Sequence, residues 1–302
     1  MKISDILSQK KLSVSLEIFP PKKQTSYDSV IDAAMKLCSL SPDFMSITYG
    51  AGGSTKRNTA DIANELQTKG GVTALAHLTC VGASKESISS VADNLAARGI
   101  ENVLVLRGDI PQPDEKGNMP EGFFDAWQTD GYAHASDLVQ VLKADGRFCI
   151  GGACYPEGHP ESRNRDADIE NVKYKVEAGC DFLTTQMFFD NDMLYSFLYR
   201  LQSKGIHVPV LAGIMPITQA SQVQRMIKLS NAYIPRKLLM LVDKFADNPA
   251  ALKQAGIAYA TDQIIDLISN GIRGIHIYTM NKPDVASAIM SNISDIITAV
   301  NA

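Results

Sequence analysis

The chain has 302 residues, of which 45% are hydrophobic and 21% charged, and a formal net charge of −4. This composition is typical of a globular protein, and the mild acidity without a basic block disfavours nucleic acid and anionic membranes as partners. Residues 1–11 contain no apolar signal core, and no run of about 18 apolar residues occurs, so we expect neither a secretory signal nor a membrane span. The five scattered cysteines indicate a reduced, cytoplasmic protein without disulfides.

Short apolar, β-branched runs alternate with amphipathic segments along the whole chain. Eight of these runs are predicted to be strands, at 14–19, 44–49, 72–79, 103–109, 148–155, 182–189, 208–215 and 274–280. Helical periodicity fills the gaps between them, as at Ile88, Val91 and Leu95. The segment 234–270 contains more helical sequence than one unit needs, which predicts an extra helix before the last strand.

Eight strand-then-helix units in this length predict a (β/α)₈ TIM barrel, which takes about 250 residues. We expect residues 1–302 to form this barrel as a single domain, because no shift in composition marks a boundary. A doubly wound open sheet is the alternative, since periodicity does not report closure. The longest irregular stretch is the loop 110–132 after the fourth strand, and a loop of this length is typically functional or mobile.

Polar residues accumulate at the ends of the predicted strands, where a TIM barrel forms its active site. Seven of the eight strands end in such residues: Glu17; Thr48 and Tyr49; His77 and Thr79; Arg107 and Asp109; Tyr155, Glu157 and His159; Gln186; Tyr278 and Asn281. Any one of them alone is commonly a loop-edge or core residue. The whole set predicts a polar site at the mouth of the barrel.

Strand alternation predicts which of these side chains point inward. Glu17 lies on the face opposite Leu16, and Asp109 lies on the face opposite Leu104 and Leu106. We expect the purely aliphatic faces to pack against the helices. Glu17 and Asp109 should then both point into the lumen near its top.

The sequence argues against several kinds of chemistry at the predicted site. His77, Cys80, Cys154 and His159 offer metal ligands, but their spacing matches no standard zinc pattern, so we expect no metal site. The glycine-rich stretch 49–56 lacks both nucleotide-binding fingerprints, and no nucleophile elbow occurs. The remaining acid–base and hydrogen-bonding groups suit an enzyme whose cofactor performs the difficult step. A metal-dependent barrel aldolase or hydrolase stays open as an alternative.

Eight segments in order closely resemble the methylenetetrahydrofolate reductase family of bacterial type: SLEIFPPK, SITYGAGGS, HLTC, LRGD, YPEGHPE, TTQMFFD, GIMPI and IHIYTMN. The resemblance runs from about Leu12 to the C-terminus. It implies a TIM barrel that holds FAD non-covalently, takes a hydride from NADH or NADPH through flavin N5 in a ping-pong scheme, and reduces methylenetetrahydrofolate to methyltetrahydrofolate for methionine synthesis. It also implies a homo-oligomer, and no adenosylmethionine-binding domain after Ala302.

The same resemblance assigns the site residues. Glu17 is similar to the family's general acid, and Asp109 to the carboxylate beside the flavin and the pterin. The implied flavin-binding residues are Thr48, Tyr49, Ala51, His77, Arg107, Gly108, Asp109, Ala135, Tyr155, His159, Asp168, Asn171 and Lys175. The implied substrate-binding residues are Glu17, Asp109, Gln186, Gln222, Met226, Tyr278 and Lys282.

Three features depart from the family pattern. Lys282 stands where an arginine is expected near the folate glutamate tail, which keeps the charge but loses the bidentate fork. Met226 stands where an aromatic residue or leucine is expected, and the loop 110–132, which leads to Ala135, is longer than usual. A non-catalytic folate-binding or methyl-transfer subunit that keeps the barrel without the flavin is a further alternative.

The implied mechanism gives the two carboxylates different tasks. Opening of the methylene bridge requires a proton at N10, and a carboxyl kept dry in the barrel mouth is a better donor than one in water. We therefore expect Glu17 to be the acid. We expect Asp109 to remain anionic beside Arg107 and to stabilise the cationic iminium form of the folate.

Overall fold

A computed structural model describes residues 1–21, 26–49, 56–110, 127, 129–230 and 232–302. Its strands are β1 (Ser13–Ile18), β2 (Phe44–Ile47), β3 (Thr73–Thr79), β4 (Asn102–Leu106), β5 (Cys149–Cys154), β6 (Phe182–Thr185), β7 (Val210–Ile214) and β8 (Gly274–Tyr278). All neighbouring strands are parallel, and β8 pairs with β1. The sheet is therefore a closed barrel, which confirms the predicted TIM barrel and rules out the open sheet.

Helices surround the barrel on its outer side. They are α1 (Ile3–Gln9), α2 (Tyr27–Cys38), α3 (Lys56–Thr68), α4 (Lys85–Ala97), α5 (Ala135–Asp145), α6 (Arg165–Ala178), α7 (Asn191–Ser203), α8 (Ala220–Ser230), α9 (Arg236–Phe245), α10 (Pro249–Ser269) and α11 (Pro283–Asn301). Three helices connect β7 to β8, so the extra helix predicted within 234–270 is confirmed. In the described ranges, no helix has the length and apolarity that a membrane crossing requires.

The register of the strands decides which side chains line the lumen. Ser15 pairs with Phe44 on β2 and with His276 on β8, and every second residue of each strand shares its face. The lower lumen is filled by large apolar side chains that pack against the first helix: Phe44, Leu75, Leu104, Phe182 and Leu211 against Ile3, Ile6 and Leu7. α1 thus closes the N-terminal end of the barrel, and the upper lumen is left for polar groups.

The predicted orientation of the first strand is confirmed, whereas that of the fourth strand was wrong. Glu17 lies in the lumen with 4% of its surface exposed. Leu104 also faces the lumen, and Val103 and Val105 pack in the helix layer instead. Both faces of β4 are aliphatic, so alternation alone could not show which one points inward. Asp109 lies beyond the end of the strand and is exposed rather than directed into the lumen.

Both ends of the chain are fastened at the base of the barrel. The Asn301 side chain accepts a hydrogen bond from Leu12 N (3.0 Å) and donates one to Leu12 O (2.9 Å). The amino group of Met1 lies 2.7 Å from the Glu101 carboxylate. Asn102, the first residue of β4, accepts a bond from Ile3 N (2.8 Å). These contacts hold the terminal helices against the ends of the strands that lie opposite the mouth.

Candidate active site

Glu17 occupies the centre of the upper lumen and is surrounded by side chains from three other strands. Ser46 Oγ on β2 donates to Glu17 Oε2 (3.2 Å). His77 Nε2 on β3 and His276 Nε2 on β8 each lie 3.4 Å from the same oxygen. The main-chain oxygen of Glu17 accepts a hydrogen bond from Thr279 Oγ1 (2.6 Å). The carboxyl is therefore buried but has several polar neighbours.

The two histidines beside Glu17 differ in their hydrogen bonding. Burial lowers the pKa of His77 to about 4, although the nearby Glu17 charge opposes this effect, so His77 is neutral at pH 7. Its Nε2 is buried and forms no hydrogen bond within the described part of the chain, although it lies 3.4 Å from Glu17 Oε2. His276, by contrast, has its Nδ1 only 2.8 Å from Ser15 Oγ.

Tyr278 and Gln186 form the wall next to Glu17. The Tyr278 hydroxyl donates to Thr185 O (2.7 Å), and burial raises the pKa of this tyrosine well above its ordinary value. The ring lies edge-on to His276, with 5.0 Å between the ring centroids. Gln186 follows directly after β6, and its Oε1 accepts a bond from Met187 N (3.0 Å). The predicted substrate residues Glu17, Gln186 and Tyr278 thus lie on neighbouring parts of the mouth.

A second polar group lies at the ends of β4 and β5. The Arg107 guanidinium makes a two-pronged ion pair with Glu161, with N–O distances of 2.5 and 2.7 Å. Tyr155 and His159 pack edge to face, 4.6 Å apart between ring centroids. Burial, followed by the Asp109 charge, raises the pKa of Tyr155 to about 12. Predicted flavin residues from two loops therefore meet here.

Helix α6 carries Asp168, Asn171 and Lys175 in the predicted i, i+3, i+7 arrangement. Asp168 is buried and accepts a hydrogen bond from Ser162 Oγ (2.9 Å). Lys175 Nζ donates to Ala153 O at the end of β5 (2.6 Å). Asn171 is exposed. The helix thus brings one carboxylate and one ammonium group to the end of β5.

The remaining predicted flavin residues surround the same edge of the mouth. Thr48 N donates to Ile18 O (3.1 Å), and burial raises the pKa of Tyr49 to about 12. Ala135 is the first residue of α5. Gly108 has a φ of +88°, and a Cβ there would come within 2.7 Å of the Val81 side chain. Ala51 and most of the loop 110–132, namely 111–126 and 128, lie outside the described residues.

Two of the predicted substrate residues, Lys282 and Gln222, contact Thr218, between β7 and α8. Lys282 Nζ donates to Thr218 Oγ1 (2.8 Å), and burial lowers the pKa of this lysine. Gln222 Oε1 accepts a hydrogen bond from Thr218 N (2.8 Å). Thr218, Tyr278 and Lys282 line one narrow cleft. Met226 is buried in the apolar cluster beneath α8 and α9.

Comparison with known proteins identifies the family. The family model for methylenetetrahydrofolate reductase matches residues 2–294. The chain belongs to the methylenetetrahydrofolate reductase family. It is 33% identical over 281 residues to the 5,10-methylenetetrahydrofolate reductases of Pectobacterium carotovorum and Escherichia coli, covering 93% of this chain and 90% of each relative. It is also 34% identical to methylenetetrahydrofolate reductase (NADH) 1 of Arabidopsis thaliana, of which it spans 50%.

A solved structure shows the same barrel architecture. The chain from Clostridium thermocellum superposes with a TM-score of 0.62 and 15% identity, covering 98% of this chain and 99% of that chain. That protein is described as an uncharacterized protein that binds two copies of 5-methyl-5,6,7,8-tetrahydrofolic acid. At this level of identity, the likeness supports the fold that the reductase family shares.

The metal alternative gains no support from the side chains that suggested it. Burial raises the pKa of Cys80 to about 11 and that of Cys154 to about 12. In the part of the chain that the structure describes, no group of three or more His, Cys, Asp or Glu side chains is arranged to hold a metal ion.

The reductase site also contains residues that the sequence did not single out as site residues. These are His276, Ser46 and Thr279, which lie beside Glu17. The side chain of Asn281, already named as a polar residue at a strand end, binds both Phe19 N (2.8 Å) and Phe19 O (2.9 Å). Asn281 has a φ of +56°, an uncommon conformation that places its side chain across the end of β1. His276 lies two positions before the predicted site residue Tyr278 on β8, so strand alternation places both on one face and could have identified it.

Proposed function

We propose that this chain catalyses the FAD-dependent reduction of methylenetetrahydrofolate to methyltetrahydrofolate, with NADH or NADPH as the hydride source and methionine synthesis as the metabolic role. Family membership supports the reaction, and its relatives include a methylenetetrahydrofolate reductase named for NADH. The observation that carries the proposal is the buried Glu17 carboxyl in the upper lumen, at the position of the family's acid. The expected homo-oligomer and cytoplasmic location remain predictions.

The residues at the mouth fit FAD. Among the described residues, the buried Nε2 of His77 has no hydrogen-bond partner, as expected where a ring edge is to be bound. Arg107 and Lys175 supply cationic groups suited to phosphates, and Tyr155 supplies an aromatic surface. When bound there, FAD supplies the two-electron chemistry of a ping-pong cycle, with hydride accepted from NAD(P)H and then delivered to folate.

Glu17 provides the proton for the folate step. Its carboxyl is shielded from water and contacts a hydroxyl and an imidazole, so it can hold a proton in a fixed direction. The O–H bond of Glu17 breaks as the N10–H bond of the opening folate forms. Asp109 is exposed at the mouth, where its charge would stabilise the cationic iminium form of the folate.

The substrates are oriented by side chains on the other edge of the mouth. Gln186 and Tyr278 present an amide and a hydroxyl beside Glu17. Lys282 and Gln222 lie further out along the cleft at Thr218, where the lysine charge suits the carboxylates of a folate tail. Met226 packs in the apolar cluster on the buried side of α8.

The decisive experiment separates the two half-reactions. The purified protein should show the visible absorbance of oxidised flavin and oxidise NADH or NADPH with menadione as the acceptor. Under anaerobic conditions, mixing with either nucleotide in a stopped-flow instrument should bleach the flavin, and methylenetetrahydrofolate should restore its colour. A colourless protein that binds folate would instead support the non-catalytic alternative, and a bleached flavin that folate does not reoxidise would contradict the proposed substrate.

A further inference from the structure

His276 bridges two residues of the first strand inside the lumen. It is 1% exposed, and its strand register places it opposite Ser15. Nδ1 lies 2.8 Å from Ser15 Oγ, and Nε2 lies 3.4 Å from Glu17 Oε2. Both ring nitrogens therefore have partners on β1, spaced by two positions along one face.

One tautomer of His276 pairs it with a protonated Glu17. Ser15 Oγ lies 3.3 Å from Ile275 O, which can only accept, and 2.8 Å from His276 Nδ1. When the Ser15 hydroxyl donates to the carbonyl, Nδ1–H of His276 donates the shorter contact and the lone pair of Nε2 faces Glu17. A carboxylic acid can donate to this lone pair while its oxygen accepts the hydroxyl of Ser46. A carboxylate facing the same lone pair would be repelled.

We propose that His276 is a positioning residue for the reaction, which keeps the Glu17 proton in a hydrogen bond and directed for transfer to folate. This inference rests on the proposed role of Glu17 as the acid. The proton that Glu17 gives to N10 is replaced from solvent after product release, and His276 is not consumed. Glu17 is the catalytic residue, and His276 acts through it.

The other groups that face Glu17 are compatible with this arrangement. His77 on β3 is neutral at pH 7, because burial lowers its pKa to about 4. Tyr278 on β8 is also neutral, because burial raises its pKa. Ser46 on β2 carries no charge. None of these three neighbours supplies a positive charge that would favour the ionised form of Glu17 at neutral pH.

If His276 had only a structural role, its replacement should slow both half-reactions equally. A positioning role predicts a loss in the folate half-reaction alone. His276→Gln keeps a polar side chain but removes the imidazole. We expect flavin reduction by NAD(P)H to stay within about twofold of the wild type and the folate half-reaction to slow about 10–100-fold, within the range of general acid catalysis. The pH at which that half-reaction loses half its rate should move to lower values, because the acid form loses its acceptor.

Two further variants keep the test decisive. Ser15→Ala removes only the partner of Nδ1 and should shift the same pH profile in the same direction by a smaller amount, so it carries the test if His276→Gln does not fold. Thr184→Val alters another buried lumen side chain whose hydroxyl forms no hydrogen bond in the described structure, and it should change neither half-reaction. An unshifted pH profile in both Ser15→Ala and His276→Gln, or an equal loss in both half-reactions, overturns the inference. A wild-type protein without a folate half-reaction overturns the proposed function itself.

Discussion

The Tyr278 ring occupies space that Gly213 leaves free. A Cβ at Gly213 would lie 2.8 Å from Tyr278 Oη and 2.5 Å from Thr185 O, which is the acceptor of the tyrosine hydroxyl. Tyr278 therefore reaches its place beside Glu17 because the facing strand has no side chain at this position. The shape of the lumen and the placement of a predicted substrate residue depend on the same glycine.

Gly213→Ala should displace Tyr278 and lower the free energy of unfolding by about 1–3 kcal/mol, the usual range for overpacking a core. The folate half-reaction should slow, whereas flavin reduction should be less affected.

Gly271→Ala is the matched control, because Gly271 has a φ of +83° and open space around it, at the start of the loop before β8. It should cost about 1–2 kcal/mol of stability and leave both half-reactions unchanged. Equal kinetics in the two variants would contradict the assigned role of Gly213. Urea unfolding and stopped-flow absorbance provide both measurements.

Glu17→Gln should separate the half-reactions. The amide keeps the shape of the side chain but supplies no acid, so folate reduction should fall about 10²–10⁴-fold while NAD(P)H still bleaches the flavin at nearly the wild-type rate. Glu101→Gln, at the opposite end of the barrel, is the control and should retain both. A parallel fall in both half-reactions of Glu17→Gln would remove the acid role.

His77 should make the stability depend on pH. Its pKa falls from 6.5 to about 4 on burial, so the unfolded chain binds more protons than the folded chain between these values. Stability is therefore complete above about pH 6.5 and decreases as the pH falls toward 4, with a loss of about 2 kcal/mol by pH 5. Glu17 and His276 face this imidazole, and the Glu17 charge opposes the shift.

His77→Gln should remove this contribution, and denaturant titrations at several pH values measure it. The difference in unfolding free energy between wild type and variant should change by about 2 kcal/mol from pH 7 to pH 5. His207→Gln is the control, because His207 is exposed, in the loop before β7. An identical pH dependence in wild type and His77→Gln would show that His77 titrates normally.

Arg107→Lys should weaken FAD binding about tenfold, because an ammonium group cannot reproduce the planar two-pronged fork. The stability should change by less than about 1 kcal/mol, since the Arg107 side chain is 27% exposed and Glu161 is 60% exposed. Arg147→Lys disrupts a comparable fork to Asp145 away from the mouth and should leave FAD affinity unchanged. Fluorescence of released flavin gives the affinities, and equal affinities in the two variants would exclude Arg107 from the cofactor site.

Lys282→Met should raise the KM for folate about tenfold, which corresponds to about 1.4 kcal/mol for the loss of one charge-assisted contact. The kcat and the rate of flavin reduction should be nearly unchanged, because Lys282 lies away from Glu17 along the cleft at Thr218. Lys244→Met on the exposed side of α9 is the control. A loss of kcat at constant KM would argue that Lys282 acts at the reacting centre instead.

The barrel and its polar mouth were predictable from the sequence, because eight apolar runs recur with polar residues at their ends. The ends of the strands were predicted less accurately. The run 182–189 was predicted as one strand, but β6 ends at Thr185. The polar residues after it lie beyond the hydrogen-bonded ladder and turn toward the mouth. Apolar residues continue past Thr185, so composition alone did not show where β6 ends.

Orientation was predictable only where the two faces of a strand differ. β1 has serines and Glu17 on one face and aliphatic residues on the other, and Glu17 was placed correctly. In β4 both faces are aliphatic, and Leu104 points into the lumen because the lower lumen is itself an apolar core closed by α1. The partners of Glu17, such as His276 and Ser46, come from distant parts of the chain. Only the register of the closed barrel brings them together.

The fastening of Leu12 by Asn301, and of Met1 by Glu101, has a practical consequence for handling the protein. Both termini lie at the base of the barrel. An affinity tag or a fluorescent reporter attached at either end would therefore project away from the mouth. Protein immobilised through such a tag should keep the mouth of the barrel accessible to solvent.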